Sequence, residues 1–389
     1  MAVSSGRRRS TKHVALIVET SNAYARGLLA GIHRYISENP GWSIYIGEHS
    51  RQDTDLSWLD GWHGDGVLAR IENAETARQV RSLGVPAVDL SAARLAPEFP
   101  CVETDDDAIA SVAVRHFHER GLRNFAYCGD ARFAWSVKRK AAYRRHVAET
   151  GSVSHEFELS SSGSAADNRR SLVEWLTALP KPVGVLACYD IAGQEILEAC
   201  KIAGIAVPDD VAVLGVDNDE LMCNLTSPPM SSIQSDALGS GHLAAAILDR
   251  MMTGDPWLPG LHLLPPLRIA ARQSSDLFSV SDPVVARALT FIRDSAERRV
   301  SVTEVLRYAG MSRRALDYRF TNLLDRTVHD EIMRVRMERV AHLLIATDWT
   351  LPRIAESLEF PHSEYMGVAF RRFSGMSPGQ YRRSNRVDR

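Results

Sequence analysis

The sequence predicts a two-lobed α/β domain built on parallel sheets, followed by an all-α domain. Three observations predict it. Short apolar runs alternate with helical periods from Val14 to Met252. The alternating units are too many for one small sheet, so they divide into two lobes, with breaks near Thr104 and Ser232. From Pro283 to Tyr381 the pattern is purely helical.

The elements follow in order. Val14–Val18 is a short apolar strand, and Arg26–Glu38 a helix with Leu28, Leu29, Ile32, Tyr35 and Ile36 on one face. Strands are expected at Trp42–Ile46, Asp65–Ala69, Ala87–Leu90 and near Cys101. The alternation resumes with a helix at Asp105–Glu119, a strand at Phe125–Cys128 and a helix at Val137–Thr150. Strands at Pro182–Cys188 and Val211–Val216 flank a helix near Ile191–Ala203, and Ser235–Met252 is the last helix of this part. Buried strands alternating with helices predict sheets covered on both faces.

Composition narrows the function. The 389 residues fit two or three domains. With 45% hydrophobic and 24% charged residues, the chain has the material for cores and is not a disordered polyelectrolyte. No run of about 18 apolar residues offers a membrane span. The basic opening has no apolar run behind it long enough for a signal peptide, so a cytoplasmic protein with no membrane partner is expected. Five scattered cysteines without a Cys-x-x-Cys pair read as reduced core residues, not a disulfide framework or zinc site.

The net charge of −2 is unevenly spread. Residues 282–389 hold 19 Arg and no Lys against 14 acidic side chains, which is +5, and the remainder is −7. A basic C-terminal segment on an acidic body suggests a polyanion-binding module. No Gly-x-Gly-x-x-Gly follows a strand, and no P-loop, Gly-x-Ser-x-Gly or nucleophile–base motif is present. Neither an enzyme, a cofactor nor a metal is expected.

In parallel sheets, ligands sit beyond the carboxyl ends of the strands. Those ends carry Glu19 to Tyr24, Arg70, Asp105 with Asp106, Asp130, Arg132, Phe133, Trp135, Arg139, Asp190, and Asp217 with Asn218. Carboxylates accept paired hydroxyl hydrogen bonds, and flat rings cover the C–H face of a pyranose, so the set suits a sugar. Tyr24, Arg70, Asp105, Trp135, Arg139, Asp190 and Asp217 are the candidate ligand residues. Asp190 also reads as a helix N-cap.

The helical part carries two similar units about fifty residues apart, Val302–Phe320 and Ile354–Phe373. Each is a short helix, a turn and a helix containing Arg. Gly310 suits the tight turn and Ser312 the following N-cap. This is helix-turn-helix spacing, with the second helix of each unit lying in a major groove of double-stranded DNA. Arg313, Arg314 and Asp317 in the first unit, and His362, Ser363 and Glu364 in the second, are candidate base-edge contacts, with Ser312 beside them. Arg319, Arg371 and Arg372 read as phosphate contacts or solvated surface. Arg7-Arg8-Arg9 reads as a mobile basic tail with phosphate contact as its alternative.

These residues resemble the AraC family of transcription regulators over about the last hundred positions. The likeness rests on Gly310-Met311-Ser312, Ala341 to Leu344, Ile354-Ala355, Tyr365, Phe370 to Phe373, and the closing Gly375 to Arg382. Two positions depart from that pattern, Glu359 for Gly and Met366 for an aromatic. A left-handed turn at Glu359 would cost about 1 kcal/mol. The preceding part resembles the periplasmic-binding-protein-like sugar domain of LacI-type repressors, through Arg139 to Tyr143 and Val216 to Asp219. That order, sugar domain first and helix-turn-helix last, resembles the xylose-responsive activators of the AraC family along the whole chain. Ala23-Tyr24, Gly64 to Val67, Thr104-Asp105, Trp135 with Arg139, Asp190, Gly215 to Asn218 and Pro265 to Arg268 carry that likeness.

The resemblance implies D-xylose at the lobe junction, with Asp190 and Asp217 as hydroxyl acceptors and Arg139 as donor. It implies an operator DNA, a homodimer and RNA polymerase as partners. Arg70 stands where those activators carry an acidic residue, so a related sugar is the alternative effector. A transport solute-binding protein would share the lobes but needs no helical tail. The expected domains are a basic tail at 1–11, the sugar-binding domain at 12–275, a linker at 276–285 and the DNA-binding domain at 286–389.

Overall fold

The computed structural model describes residues 11–47, 56–160, 164–254, 260–276, 282–295, 298–324, 326–347 and 349–385. The Arg7-Arg8-Arg9 run and half of the expected linker, residues 277–281, lie outside them. The chain divides into two compact units, Met1–Leu277 and Phe278–Arg389.

The first unit runs β1 (Lys12–Ile17), α1 (Ala23–Glu38), β2 (Trp42–Ile46), β3 (Gly66–Ala69), α2 (Ala74–Ser82), β4 (Ala87–Asp89), β5 (Cys101–Thr104), α3 (Asp106–Glu119), β6 (Asn124–Gly129), α4 (Ala134–Glu149), β7 (Ser154–Glu158), α5 (Ala165–Ala178), β8 (Val183–Ala187), α6 (Asp190–Ala203), β9 (Val211–Val216), α7 (Glu220–Leu225), β10 (Ser231–Gln234), α8 (Ala237–Met252), β11 (Leu261–Leu264) and β12 (Arg268–Ala270). The first sheet has the order β11-β5-β4-β3-β1-β2, with every pairing parallel. The second has the order β12-β10-β9-β8-β6-β7 and is parallel except for β12. All six residues of β9 are buried, as a central strand with helices on both faces requires.

The helices start where the sequence supplies a cap. Asn22 accepts from the Ala25 amide, Asn73 from Thr76 and Ser164 from Asp167. Helices α1 and α8 touch backbone to backbone. A Cβ on Gly31 would lie 2.0 Å from the Leu238 carbonyl oxygen, and one on Gly241 2.0 Å from that of Leu28, so both positions need glycine.

The lobes are joined three times. The chain crosses after β5 at Thr104, after β10 at Ser235 and between β11 and β12. The first two match the breaks at Thr104 and Ser232. The third is a correction: β11 returns to the first sheet and β12 to the second, so Pro265-Pro266 also belongs to the junction. All five cysteines are buried and free. Among the described residues no helix is long and apolar enough to cross a membrane.

The second unit holds α9 (Pro283–Asp294), α10 (Val302–Ala309), α11 (Arg313–Leu324), α12 (Val328–Ala346), α13 (Leu351–Ser357), α14 (Ser363–Ser374) and α15 (Pro378–Asn385). It has two cores. Val285, Leu289, Val305, Leu316 and Phe320 build one, and Ile354, Leu358, Met366 and Phe370 the other. Helix α12 feeds both, with Ile332 in the first and Val340 and Leu344 in the second. Met366 is fully buried, and its unbranched thioether packs in the second of these cores. Ser301 and Thr327 head α10 and α12 with capping boxes to Glu304 and Asp330.

Candidate functional site

The carboxyl ends of both sheets close around one cavity. Asn22, Tyr24, Arg70, Leu90, Ala92, Glu103 and Thr104 line it from the first lobe. Asp106, Trp135, Arg139, Tyr189 and Asp217 line it from the second. Tyr24, Arg70, Trp135, Arg139 and Asp217 of the expected set are thus brought together; Asp105 and Asp190 are not.

Each side chain is held. Arg139 donates to Asp106 through Nε at 2.9 Å and Nη2 at 2.7 Å, and to the Cys188 carbonyl oxygen. Its guanidinium lies 5.2 Å from the Trp135 ring. Trp135 stacks on Phe133 at 5.1 Å and meets Tyr189 edge-on at 5.6 Å, which presents a fixed aromatic wall. Burial pushes the Asp106 carboxyl up to about 6, and Arg139 opposes the shift.

Arg70 is the donor of the first lobe. It pairs with Glu19 and, at 2.6 Å, with Glu72, and sits 5.6 Å from the Tyr24 ring. Burial opposes its charge, and the two carboxylates outweigh burial and hold it above its ordinary value. Its Nε is buried with no hydrogen-bond partner among the described residues. Burial also raises the Tyr24 phenol, whose oxygen accepts from Thr104 Oγ1 at 3.2 Å.

Asp217 carries strain. Its φ is +97° and that of Asn218 is +53°, both in the left-handed region, which costs about 1–3 kcal/mol each. Ser235 Oγ donates to Asp217 Oδ1 at 2.9 Å, Ser232 Oγ accepts from the Asn218 amide at 3.0 Å, and Arg272 donates to Asn218 Oδ1 at 2.9 Å. These bonds hold a turn that aims Asp217 at the cavity.

Two expected ligand residues do not line the cavity. Asp105 is the N-cap of α3 and accepts from the Ala108 amide at 3.0 Å; capping turns it back onto the helix end, and the next residue, Asp106, faces the cavity. Asp190, only 3% exposed, is the first residue of α6 and not its cap, which is Tyr189. Its carboxylate accepts from Ser232 Oγ and from the Asp219 amide, both at 2.6 Å, behind the lining. Glycine at 215 makes room, since a Cβ there would lie 2.2 Å from Asp190 Oδ1. Asp130 and Arg132 pair with each other and do not line the cavity. Sequence reading missed Glu103 and Tyr189 as lining residues. A lone glutamate in the buried strand Cys101–Thr104 was the available signal.

The helical unit presents its candidates on two ridges. Gly310 at φ +67° and Glu359 at φ +53° make equivalent left-handed turns. Glu359 Oε2 accepts from the Arg299 amide at 3.0 Å, and Arg336 lies 3.7 Å over the Phe360 ring. Ser312 Oγ accepts from the Ala315 amide, and Arg313 and Arg314 stand exposed on the first turn of α11. Asp317 turns inward instead, accepting from the Val328 amide at 3.1 Å. Arg319 pairs with Asp282 of α9's leading edge, so its charge is already matched. His362, Glu364, Arg371 and Arg372 are exposed along α14, with Ser363 half-buried and Val368 73% exposed between them.

Comparison with known proteins assigns the chain. Residues 13–107 match the XylR N-terminal domain, 114–275 a periplasmic binding protein-like domain and 305–384 a helix-turn-helix domain. The xylose operon regulatory protein of Escherichia coli K12 is 30% identical over 384 residues, covering 96% of this chain and 97% of that protein. The chain belongs to the xylose operon regulatory protein family. The Haemophilus influenzae member is 28% identical, over 95% of this chain and 97% of its own. A solved xylose-binding transcription activator is 28% identical with a TM-score of 0.75, covering 97% of this chain and 99% of that one. A cellobiose complex of the regulator CelR, 24% identical over 69% of this chain and with a TM-score of 0.58, shares the fold of the first unit's class. Members of the xylose operon regulatory protein family are transcription regulators and not enzymes. Among the described residues no His, Cys, Asp and Glu cluster could hold a metal.

Proposed function

We propose that the chain is a D-xylose-responsive activator of transcription, with residues 12–275 as sensor and 286–389 as the operator-binding part. The cavity carries the reading. It offers an aromatic wall at Trp135, carboxylates at Asp106, Asp217 and Glu103, and two arginines already matched by carboxylates, which suits a neutral polyhydroxyl ligand over a sugar acid. Relatives named for xylose support the same ligand.

Sugar binding closes the lobes about the three crossings, a hinge motion. Closure acts on DNA by favouring one arrangement of the operator-binding parts in a homodimer, and RNA polymerase is the partner of the bound form. The setting is the cytoplasm. A related sugar is favoured by one observation, Arg70, which puts a donor at the cavity edge.

A thermal shift of the purified chain against D-xylose, L-arabinose, D-ribose and D-glucose tests it, because a ligand of the folded state raises the midpoint. A selective shift with D-xylose is the expected result. A selective shift with another sugar replaces the effector, and no shift with any overturns the sugar reading.

A further inference from the structure

Glu103 sits on β5, in the first lobe, and lines the cavity while only 4% exposed. Its two carboxylate oxygens have different lives. Oε1 accepts from Lys138 Nζ at 3.0 Å, and Lys138 belongs to α4 in the second lobe. Oε2 is buried and has no hydrogen-bond partner among the described residues. A buried carboxylate oxygen without a donor is costly. Asp89 and Asp106 add negative charge around it, and Lys138 is the cation that answers it.

We infer that Glu103 binds a hydroxyl of the effector through Oε2 while Oε1 holds the opposite lobe through Lys138. The same carboxylate then ties occupancy to closure. An incoming hydroxyl supplies the missing donor only when the cavity is filled, and Lys138 reaches Oε1 only when the lobes approach. Lys138 does not line the cavity, so it is a positioning residue and not a ligand. A second pair crosses the lobes, Arg26 to Asp219 at 3.1 Å, but neither residue lines the cavity. It serves as the control for a pair that only joins the lobes. This inference rests on the sugar reading proposed above.

The test is a calorimetric titration of the full chain with D-xylose and with its analogues deoxygenated at each hydroxyl in turn. Wild type, Glu103→Gln, Glu103→Ala, Lys138→Met and Arg26→Met are compared, and Glu103→Gln keeps the shape of the site should Glu103→Ala fold poorly. Glu103→Gln is expected to weaken D-xylose by about ten- to a hundredfold. Against the one analogue that lacks the bound hydroxyl, it is expected to match wild type. Lys138→Met should weaken every sugar by one common factor and leave the ranking of analogues unchanged, as Arg26→Met does. Unchanged D-xylose binding in both Glu103 variants overturns the inference. So does a common loss across all analogues, which makes Glu103 a lobe-joining residue only. A wild-type chain that binds none of these sugars overturns the sugar reading itself, a result separate from any difference among variants.

Discussion

Asp190 Oδ1 accepts a 2.6 Å hydrogen bond from Ser232 Oγ, so the head of α6 is tied to β10 behind the cavity wall. Asp190 therefore shapes the strand ends that present Asp217, and it does so as a buried acid. Burial, followed by repulsion from Asp217, pushes its carboxyl up to about 8. Burial pushes Asp89 up to about 7 in the same way.

These shifts set a pH profile. A carboxyl raised on folding adds stability below its unfolded value and loses it as pH rises through its folded value. Asp190 and Asp89 therefore withdraw stability as pH climbs towards 8. His116 acts oppositely: burial lowers it to about 3, so its contribution is present above its ordinary value of 6.5 and is lost as pH falls towards 3. Between pH 4 and 6.5 the two carboxyls oppose His116, and above pH 6.5 they act alone, so the melting temperature should fall most steeply between pH 6.5 and 8. Asp190→Asn should flatten that fall, and His116→Asn should change the profile only below about pH 6.5, in melts across pH 4 to 9. Alkaline limbs of equal slope in wild type and Asp190→Asn would exclude the assignment.

Arg70 has two carboxylate partners and a side chain 5% exposed. Arg70→Met removes the buried cation that both Glu19 and Glu72 contact, and stability should fall by about 3–5 kcal/mol in denaturant melts of the sugar-free protein. The triple change Arg70→Met, Glu19→Gln, Glu72→Gln should recover most of it. If the triple variant is no more stable than Arg70→Met, the carboxylates are not the cause.

The two left-handed turns give a backbone test. Glu359→Gly and Glu359→Ala both lose the Arg299 contact, so their difference isolates the turn. Glycine should be the more stable by about 1 kcal/mol, the reverse of its usual rank in a helix. Gly310→Ala should lose about the same amount. Equal melts for the two Glu359 variants would place the strain elsewhere.

On operator DNA selected by the protein from random sequence, Arg314→Ala should weaken one half-site far more than random DNA. Arg371→Ala and Arg372→Ala should weaken both alike and lower the salt slope by about 1 each. Asp317→Ala should act on folding instead, since it orphans the Val328 amide, and Arg319→Ala should leave the salt slope unchanged because Asp282 already answers its charge. An equal loss on both DNAs for Arg314→Ala refutes base reading.

Hydrophobic pattern placed the central strand β9 with the expected ends to the residue, and the apolar edge strand β2 likewise. It missed β7, whose Ser-His-Glu-Phe-Glu has one large apolar residue. β7 is an edge strand, and an edge need not bury both faces. β11, an edge of the first sheet, was missed too; it is leucine-rich but exposes alternate residues. The cavity was legible as a set of strand ends, because topology brings such ends together. Which of two adjacent acids enters it was not. Asp105 against Asp106 is decided by a cap that either aspartate could make, and Asp190 by a cleft over Gly215 that only the packing of β9 on α6 reveals.

The return of β11 to the first sheet fixes an order of manufacture. That sheet lacks α8 as its packing partner and β11 as its last strand until residue 264 has left the ribosome. By then all of the second lobe except β12 has been made, and the two lobes reach their final form together. The helix-turn-helix units are synthesised only after that. A newly made DNA-binding part thus emerges joined to a finished receptor, so no stage of synthesis exposes it to DNA ahead of the sensor that governs it.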